Sequence, residues 1–206
     1  MRRRRLSAEA PALYVRSAFL LRLMMTIGHS TLPIASFLRA LRENECRQLV
    51  DVRRHPGSRK HPQFNQDQLF AALSSEGIDT VWQEGLGGRR PADQNSINTG
   101  WRNKSFRGYA DYMQTKAFAE QISWLMNQDL NRVVIMCAEA VPWRCHRSLI
   151  SDAVLVRGVQ VEDIFVLPDG RTSRKPHDLT PFARVEGQQI RYPSEASDPP
   201  TASLET

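Results

Sequence analysis

The chain has 206 residues, 41% hydrophobic and 24% charged, enough for one ordinary globular domain with tails that buries a core without staples. Its three cysteines, Cys46, Cys137 and Cys145, are odd in number and form no CxxC pair, which argues against a disulfide framework or structural zinc and for a reducing, cytoplasmic setting. The formal charge of +6 and pI near 9.6 favour an anionic ligand, yet Arg2 to Arg5 supply four of those charges and 6 − 4 leaves +2, so the charge that matters is local.

Residues 1–23 form an Arg-rich extension with one acid, Glu9, and a short apolar patch from Ala18 to Leu23. Arg22 interrupts that patch, so no membrane span is expected. A targeting peptide is one reading. A translation start placed upstream of Met24-Met25 is the preferred one. The patterned α/β domain is expected over residues 24–193, with a disordered tail over 194–206.

The domain opens on a strand near Met24 to Ile27, followed by Gly28-His29-Ser30-Thr31. Pro33 suits the first turn of a helix whose inner face is Ile34, Phe37, Leu38 and Leu41. A second strand, Gln48 to Val52, carries Asp51 and Arg53 at its end, and Pro56, Gly57 and Pro62 keep the basic loop after it irregular. Asn65 with Gln68 resembles a capping box, and its helix runs to Gly77. A third strand, Ile78 to Trp82, empties into Glu84-Gly85-Leu86-Gly87-Gly88-Arg89-Arg90. After a polar excursion over residues 92–105, one helix is expected from Phe106 to Asn127.

Val133 to Met136 reads as a strand buried on both faces. Cys137 and Glu139 leave its end, the loop turns at Pro142, and Cys145-His146-Arg147 opens a helix with Leu149, Ile150, Ala153 and Val154 inside. A strand end, a reactive loop and a helix N-terminus make a place that binds anions or lowers a thiol pKa. Val161 to Leu167 is a fifth strand, and beyond Pro168 the chain is weakly patterned. Strands alternating with helices imply a Rossmann-like parallel sheet of about five strands, helices on both faces. His29, Asp51, Arg53, Glu84, Cys137 and Glu139 all follow strands, so their loops should meet over one crevice at the carboxyl ends.

Each residue also has a plainer explanation. His29 alone is better explained as hydrogen-bonding its loop, and Asp51 could simply anchor Arg53. Gly87-Gly88 would let backbone approach a ligand but is also ordinary turn chemistry. Neither GxGxxG nor GxxxxGK[ST] occurs, which disfavours dinucleotide and NTP folds. Cys145, beside Arg144, His146 and Arg147, should ionise more easily than a free thiol or else act as a small buried hydrophobe, a choice left open, while Cys137 is expected to be the structural one.

The blocks TIGHS, LVDVRRHPGSRKHPQFN, the GI…LGG pair and CAE…P…CHR resemble, in that order, the domain of unknown function (DUF) family 488 of bacteria and archaea, over roughly Thr26 to Pro193. The resemblance implies a Rossmann-like domain with family positions at Gly28, His29, Ser30, Asp51, Arg53, Pro56, Ser58, Leu86, Gly87, Gly88, Cys137, Glu139, Cys145, His146 and Arg147, and also at His177. It implies no reaction. A looser likeness is to rhodanese and low-specificity phosphatase domains, through LVDVR and VVIMC…R. A phosphatase loop needs Arg after Cys and five further residues, where this chain has Trp143, so that likeness is one of layout.

The leading expectation is an enzyme-like site for a phosphate-bearing ligand, a nucleotide or nucleic acid. Arg53, Arg54, Arg59 and Arg147 would hold the anion, with Gly28, Ser30, Ser58, Gly87 and Gly88 in the binding loops. His29, Asp51, Glu139 and His146 would supply acid–base or orienting groups. A non-catalytic nucleic-acid-binding module is the rival, built from the basic loop with Trp82, Trp101 and Trp143. The third reading is thiol chemistry at Cys145 or Cys137, such as sulfur transfer. A metal held by His29, Cys145 and His146 would need all three in one place; no metal or cofactor is assigned, and the oligomeric state is left open.

Overall fold

The computed structural model describes residues 22–167 and 169–194. Most of the expected extension and the tail from residue 195 lie outside the described residues. The first strand, β1, is Leu23–Gly28, and every residue from Met24 onward is buried. Then come α1 (Ile34–Glu43), β2 (Gln48–Asp51), α2 (Gln66–Ser75) and β3 (Asp79–Trp82). The chain continues through α3 (Lys104–Tyr112), α4 (Lys116–Met126), β4 (Val133–Cys137), α5 (Arg147–Leu155) and β5 (Gln160–Val166).

The α/β expectation holds, with five parallel strands in the order β3-β2-β4-β1-β5. β4 sits between β2 and β1, unlike the dinucleotide-binding order, which keeps strand 1 beside strand 2. Side chains alternate across the sheet. Val133, Ile135 and Cys137 join one core with Tyr109, Phe118, Ile122 and Leu149 of α3, α4 and α5. Val134 and Met136 join the other with Phe37, Leu41, Leu69 and Leu73 of α1 and α2. The chain therefore leaves β1 and β2 toward one face and β4 toward the other. That reversal opens a crevice at the carboxyl ends of β1, β2 and β4.

Three expectations change. The helix expected over Phe106 to Asn127 is two, because each half has its own cap: Asn103 accepts from Ser105 N at 2.8 Å, and Thr115 Oγ1 accepts from Phe118 N at 3.2 Å. Asn65 precedes α2 without capping it, since its Oδ1 accepts instead from Ser58 N at 2.6 Å and folds the basic loop back, over a short turn at Pro62–Phe64. The weakly patterned region after Pro168 is ordered. Thr172–Pro176 (β6) pairs antiparallel with β5 as a sixth strand, and Arg184–Glu186 (β7) forms a hairpin with Gln189–Arg191 (β8). Distant partners fix this region: Tyr192 N donates to Asn98 Oδ1 at 2.9 Å, and Gln114 Nε2 donates to Ile190 O at 2.7 Å. Among the described residues no helix is long and apolar enough to cross a membrane.

Gly28 is where β1 and the loop after β4 touch. A Cβ there would lie 1.8 Å from the Glu139 carbonyl oxygen, which is backbone and cannot swing away. Gly28→Ala should therefore destabilise by about 3 kcal/mol, the upper end for overpacking, measured by denaturant unfolding.

Candidate active site

Beyond β2, the Asp51 carboxylate is fully buried and accepts from Arg53 N, Nε and Nη2 at 2.6–3.0 Å. Burial raises the Asp51 pKa and these Arg53 bonds oppose the rise. Arg53 Nη1 donates to Phe64 O at 2.7 Å and faces His29 Nε2 at 3.4 Å. His29 stacks on Phe64 with ring centroids 4.1 Å apart, and its Nδ1 lies 2.9 Å from Ser30 O. Burial, then Arg53, lowers the His29 pKa to about 4. These contacts assign a neutral ring, Nδ1–H donating to Ser30 and Nε2 accepting from Arg53. His29, Asp51 and Arg53 do converge, but they satisfy one another. The Arg53 fork expected to grip an anion is occupied by Asp51 and Phe64.

Beyond β4, Cys137 Sγ, Cys145 Sγ and a ring nitrogen of His146 all lie within 4.8 Å of one another. His146 Nε2 is 3.0 Å from Val52 O, to which its N–H donates, and Nδ1 lies 3.8 Å from Cys145 Sγ. Gly88 makes room for this ring, since a Cβ there would sit 2.8 Å from Nδ1. The set of two thiols and an imidazole could also hold a metal ion, with Cys137 in the place expected of His29.

The two thiols share a hydrogen bond that affects them unequally. Cys145 precedes the helix: its N–H donates to Pro142 O at 2.8 Å and α5 starts two residues later. Its thiol donates toward Cys137, and this bond, with burial, raises the Cys145 pKa. The same bond is the main reason that the Cys137 pKa falls well below its ordinary value; His146 and Arg147 add to the fall while burial opposes it. Arg147 is the largest fully buried side chain, 1% exposed. It donates from Nη2 to Glu139 O at 3.0 Å, while among the described residues Nε and Nη1 find no hydrogen-bond partner and no carboxylate pairs with it. A guanidinium cannot shed its proton. Cys137 is a neighbour whose ionised form this charge favours.

Above these sulfurs opens a cavity of about 470 Å³, within the range of small-molecule sites. Its lining includes Cys137, Cys145, His146, Gly88 and Glu139, with Arg53, Arg54, His55, Arg89 and Arg144 as cationic or titratable neighbours. Arg54 reaches Glu84 at 3.4 Å and is partly exposed. Arg89 holds a left-handed backbone, φ 57°, unusual outside glycine. Gly87 packs under Arg54, while Arg90 donates to Gly85 O and Gly87 O at 2.8 and 3.0 Å and so shapes the glycine loop. Gly28, His29, Ser30, Asp51, Ser58, Arg59 and Arg147 do not line the cavity; Arg59 is exposed, and Ser58 Oγ accepts from His61 N at 3.0 Å. Arg89, Arg144, His55, Asn103 and Phe106 line it without having been singled out as binding residues. The local charge at Arg53-Arg54-His55, at Arg89-Arg90 and at Arg144 was the sequence signal for the basic ones.

A second polar cluster stands apart. His177 Nδ1 is 3.1 Å from Asp163 Oδ2 and Nε2 is 3.2 Å from Asp152 Oδ1, while Tyr192 OH donates to Asp152 Oδ2 at 2.8 Å. This cluster ties β6 and the C-terminal hairpin to β5 and α5.

The family model for a domain of unknown function, DUF488, matches residues 33–154, more than half of the chain. It spans Asp51 to Arg147 of the site, while Gly28, His29, Ser30 and His177 fall outside the match. No curated protein and no solved structure matches the chain.

Proposed function

This chain belongs to the DUF488 family, whose description carries no reaction, and from that premise we propose that it is an enzyme using the Cys137 thiolate to transfer a group from an anionic, phosphate-bearing substrate. The observation that carries this reading is the buried Arg147 guanidinium, which pairs with no carboxylate among the described residues, beside Cys137 and Cys145. A buried cation needs an anion nearby. One shared proton between two thiols supplies it, leaving one sulfur nucleophilic.

Arg54, Arg89 and Arg144 at the cavity then hold the substrate's negative charge. Cys137 Sγ attacks the transferred group, forming a bond to it as the bond to the leaving group breaks. The leaving group departs with that electron pair and takes the Cys145 proton. In the second half, an acceptor attacks the group, returns its proton to Cys145, and Cys137 leaves as thiolate. His146, oriented by Val52 O, positions the Cys145 thiol. The occupied His29–Asp51–Arg53 unit acts as scaffold.

The test is alkylation of the native protein with iodoacetamide at neutral pH, resolved by peptide mass spectrometry, with and without a chelator. Cys137 should label first, and Cys145→Ala should slow it by raising its pKa. Cys46 should stay unlabelled, because burial pushes its thiol up to about 12. Cys145 labelling first, or equal slow labelling of all three, would remove the thiolate reading. Labelling of Cys137 only after chelation would assign Cys137, Cys145 and His146 to a metal instead.

A further inference from the structure

The thiolate cavity does not end at its rim. Asn103, Phe106, Glu139 and Arg144 line both the cavity and a narrower cleft beside it. Trp101 and Trp143 line that cleft and also a third depression of about 370 Å³. The three therefore lie side by side, in the order cavity, cleft, pocket. Its chemistry is graded. Arginines dominate the end nearest Cys137. Trp101, Trp143, Phe165 and Phe182, with Pro142, Pro176 and Pro181, dominate the far end.

Trp143 makes that far end unusual. It stands in the short turn Pro142–Arg144 between the two cysteines and is 65% exposed, the most exposed large hydrophobic side chain among the described residues. Its ring centroid is 6.3 Å from that of Phe165, tilted by 35°, so the two rings give a partly open aromatic wall rather than a closed stack. Trp101 packs against Phe106, Phe182 and Tyr192, with ring centroids at 4.7, 4.9 and 5.6 Å, and they hold its ring in place. An aromatic wall held in place in this way suits a flat heteroaromatic ring, which offers a π-face.

We propose that the Trp101–Trp143–Phe165 pocket is a base subsite, joined through the Arg144 cleft to the thiolate cavity, and that the ligand is a mononucleotide. This rests on the proposed anionic substrate of the Cys137 site and names its class. The occupant follows from complementarity along the groove: phosphate against Arg54, Arg89 and Arg144, ribose over Glu139, base on Trp143. The position of Trp143, one residue from Arg144 and two from Cys145, ties base recognition to the catalytic loop itself.

The experiment is calorimetric titration of the Cys137→Ser, Arg147→Met protein, which lacks the attacking Cys137 thiol and leaves no buried Arg147 charge unpaired. The probes are AMP, ribose 5-phosphate, inorganic phosphate and a single-stranded oligonucleotide of about twenty residues, at two salt concentrations. AMP should bind about tenfold or more tightly than ribose 5-phosphate, the scale of one base–aromatic stack. Trp143→Ala should bring AMP down to the ribose 5-phosphate level and leave ribose 5-phosphate binding unchanged. A second variant, Phe165→Ala, checks the other wall if the first loses its loop. Equal affinity for AMP and ribose 5-phosphate, or AMP binding indifferent to both variants, overturns the base subsite. Binding confined to the oligonucleotide and lost at high salt overturns it in favour of an extended nucleic-acid surface. Failure of the thiolate reading would look different: AMP would still bind as described while Cys137 lost its labelling priority.

Discussion

Replacing Cys137 by Ala should destabilise the protein by about 3–5 kcal/mol, the scale of a buried charge left without its partner. Loss of one small side chain from a core would by itself cost far less. The excess comes from Arg147, which is buried, makes one backbone hydrogen bond and keeps its charge. Arg147→Met in the Cys137→Ala background should restore much of the loss, since it removes the orphaned charge and keeps an apolar stem of similar length. The measurement is denaturant unfolding under reducing conditions for the wild type, both single variants and the double variant. A coupling above about 2 kcal/mol is expected from this cycle. Additive effects would mean that another group balances Arg147, and the case for a resident thiolate would lose its support. The pH dependence has a definite sign. Because the folded Cys137 pKa lies below its ordinary value near 9, the stabilisation is fully present above that value and is lost as pH falls through the folded one. The coupling should shrink on acidification.

The second large effect is expected at His177. Burial alone would lower its pKa, but hydrogen bonds to Asp152 and Asp163 raise it from 6.5 to about 9. A raised folded value means stability that is fully present below pH 6.5 and is lost as pH rises through about 9. That rise corresponds to about 3 kcal/mol. His177→Gln should therefore be less stable than the wild type by roughly that amount at pH 6, and the gap should close toward pH 10. Comparing the two proteins at each pH cancels the cysteines, which titrate over part of the same range. A gap constant with pH would mean that His177 contributes packing and neutral hydrogen bonds only. Because His177 joins β6 to α5 and β5, the same variant should raise amide exchange in β6–β8 before it raises exchange in β4.

The strands and most helices were legible because their signals are local. Val133 to Met136 is apolar at every position, which a strand covered on both faces requires. Ile34, Phe37, Leu38 and Leu41 repeat at helical spacing, and α1 turns that stripe toward the sheet. Both misread segments depended on side-chain oxygens. Thr115 could have been a helix-interior residue until its hydroxyl capped Phe118, and Asn65 could have capped α2 until it took Ser58. β6 and the β7–β8 hairpin left almost no pattern, because partners distant in sequence hold them.

By itself the sequence determined an α/β sheet, the loops that carry chemistry, and the end of the sheet where those loops meet. Strand propensity, apolar period and Pro/Gly punctuation are properties of short windows, and residues following parallel strands share one edge whatever the strand order. Only the tertiary structure decided what each polar group does there. It spent Arg53 on Asp51, neutralised His29, buried Arg147 and set the Cys145 thiol to donate a hydrogen bond to Cys137. The physical reason is that charge state and donor availability depend on burial and on neighbours a few ångströms away, and Val52, Gly88, Cys137 and His146 become such neighbours only when β2, the glycine loop, β4 and α5 are packed together.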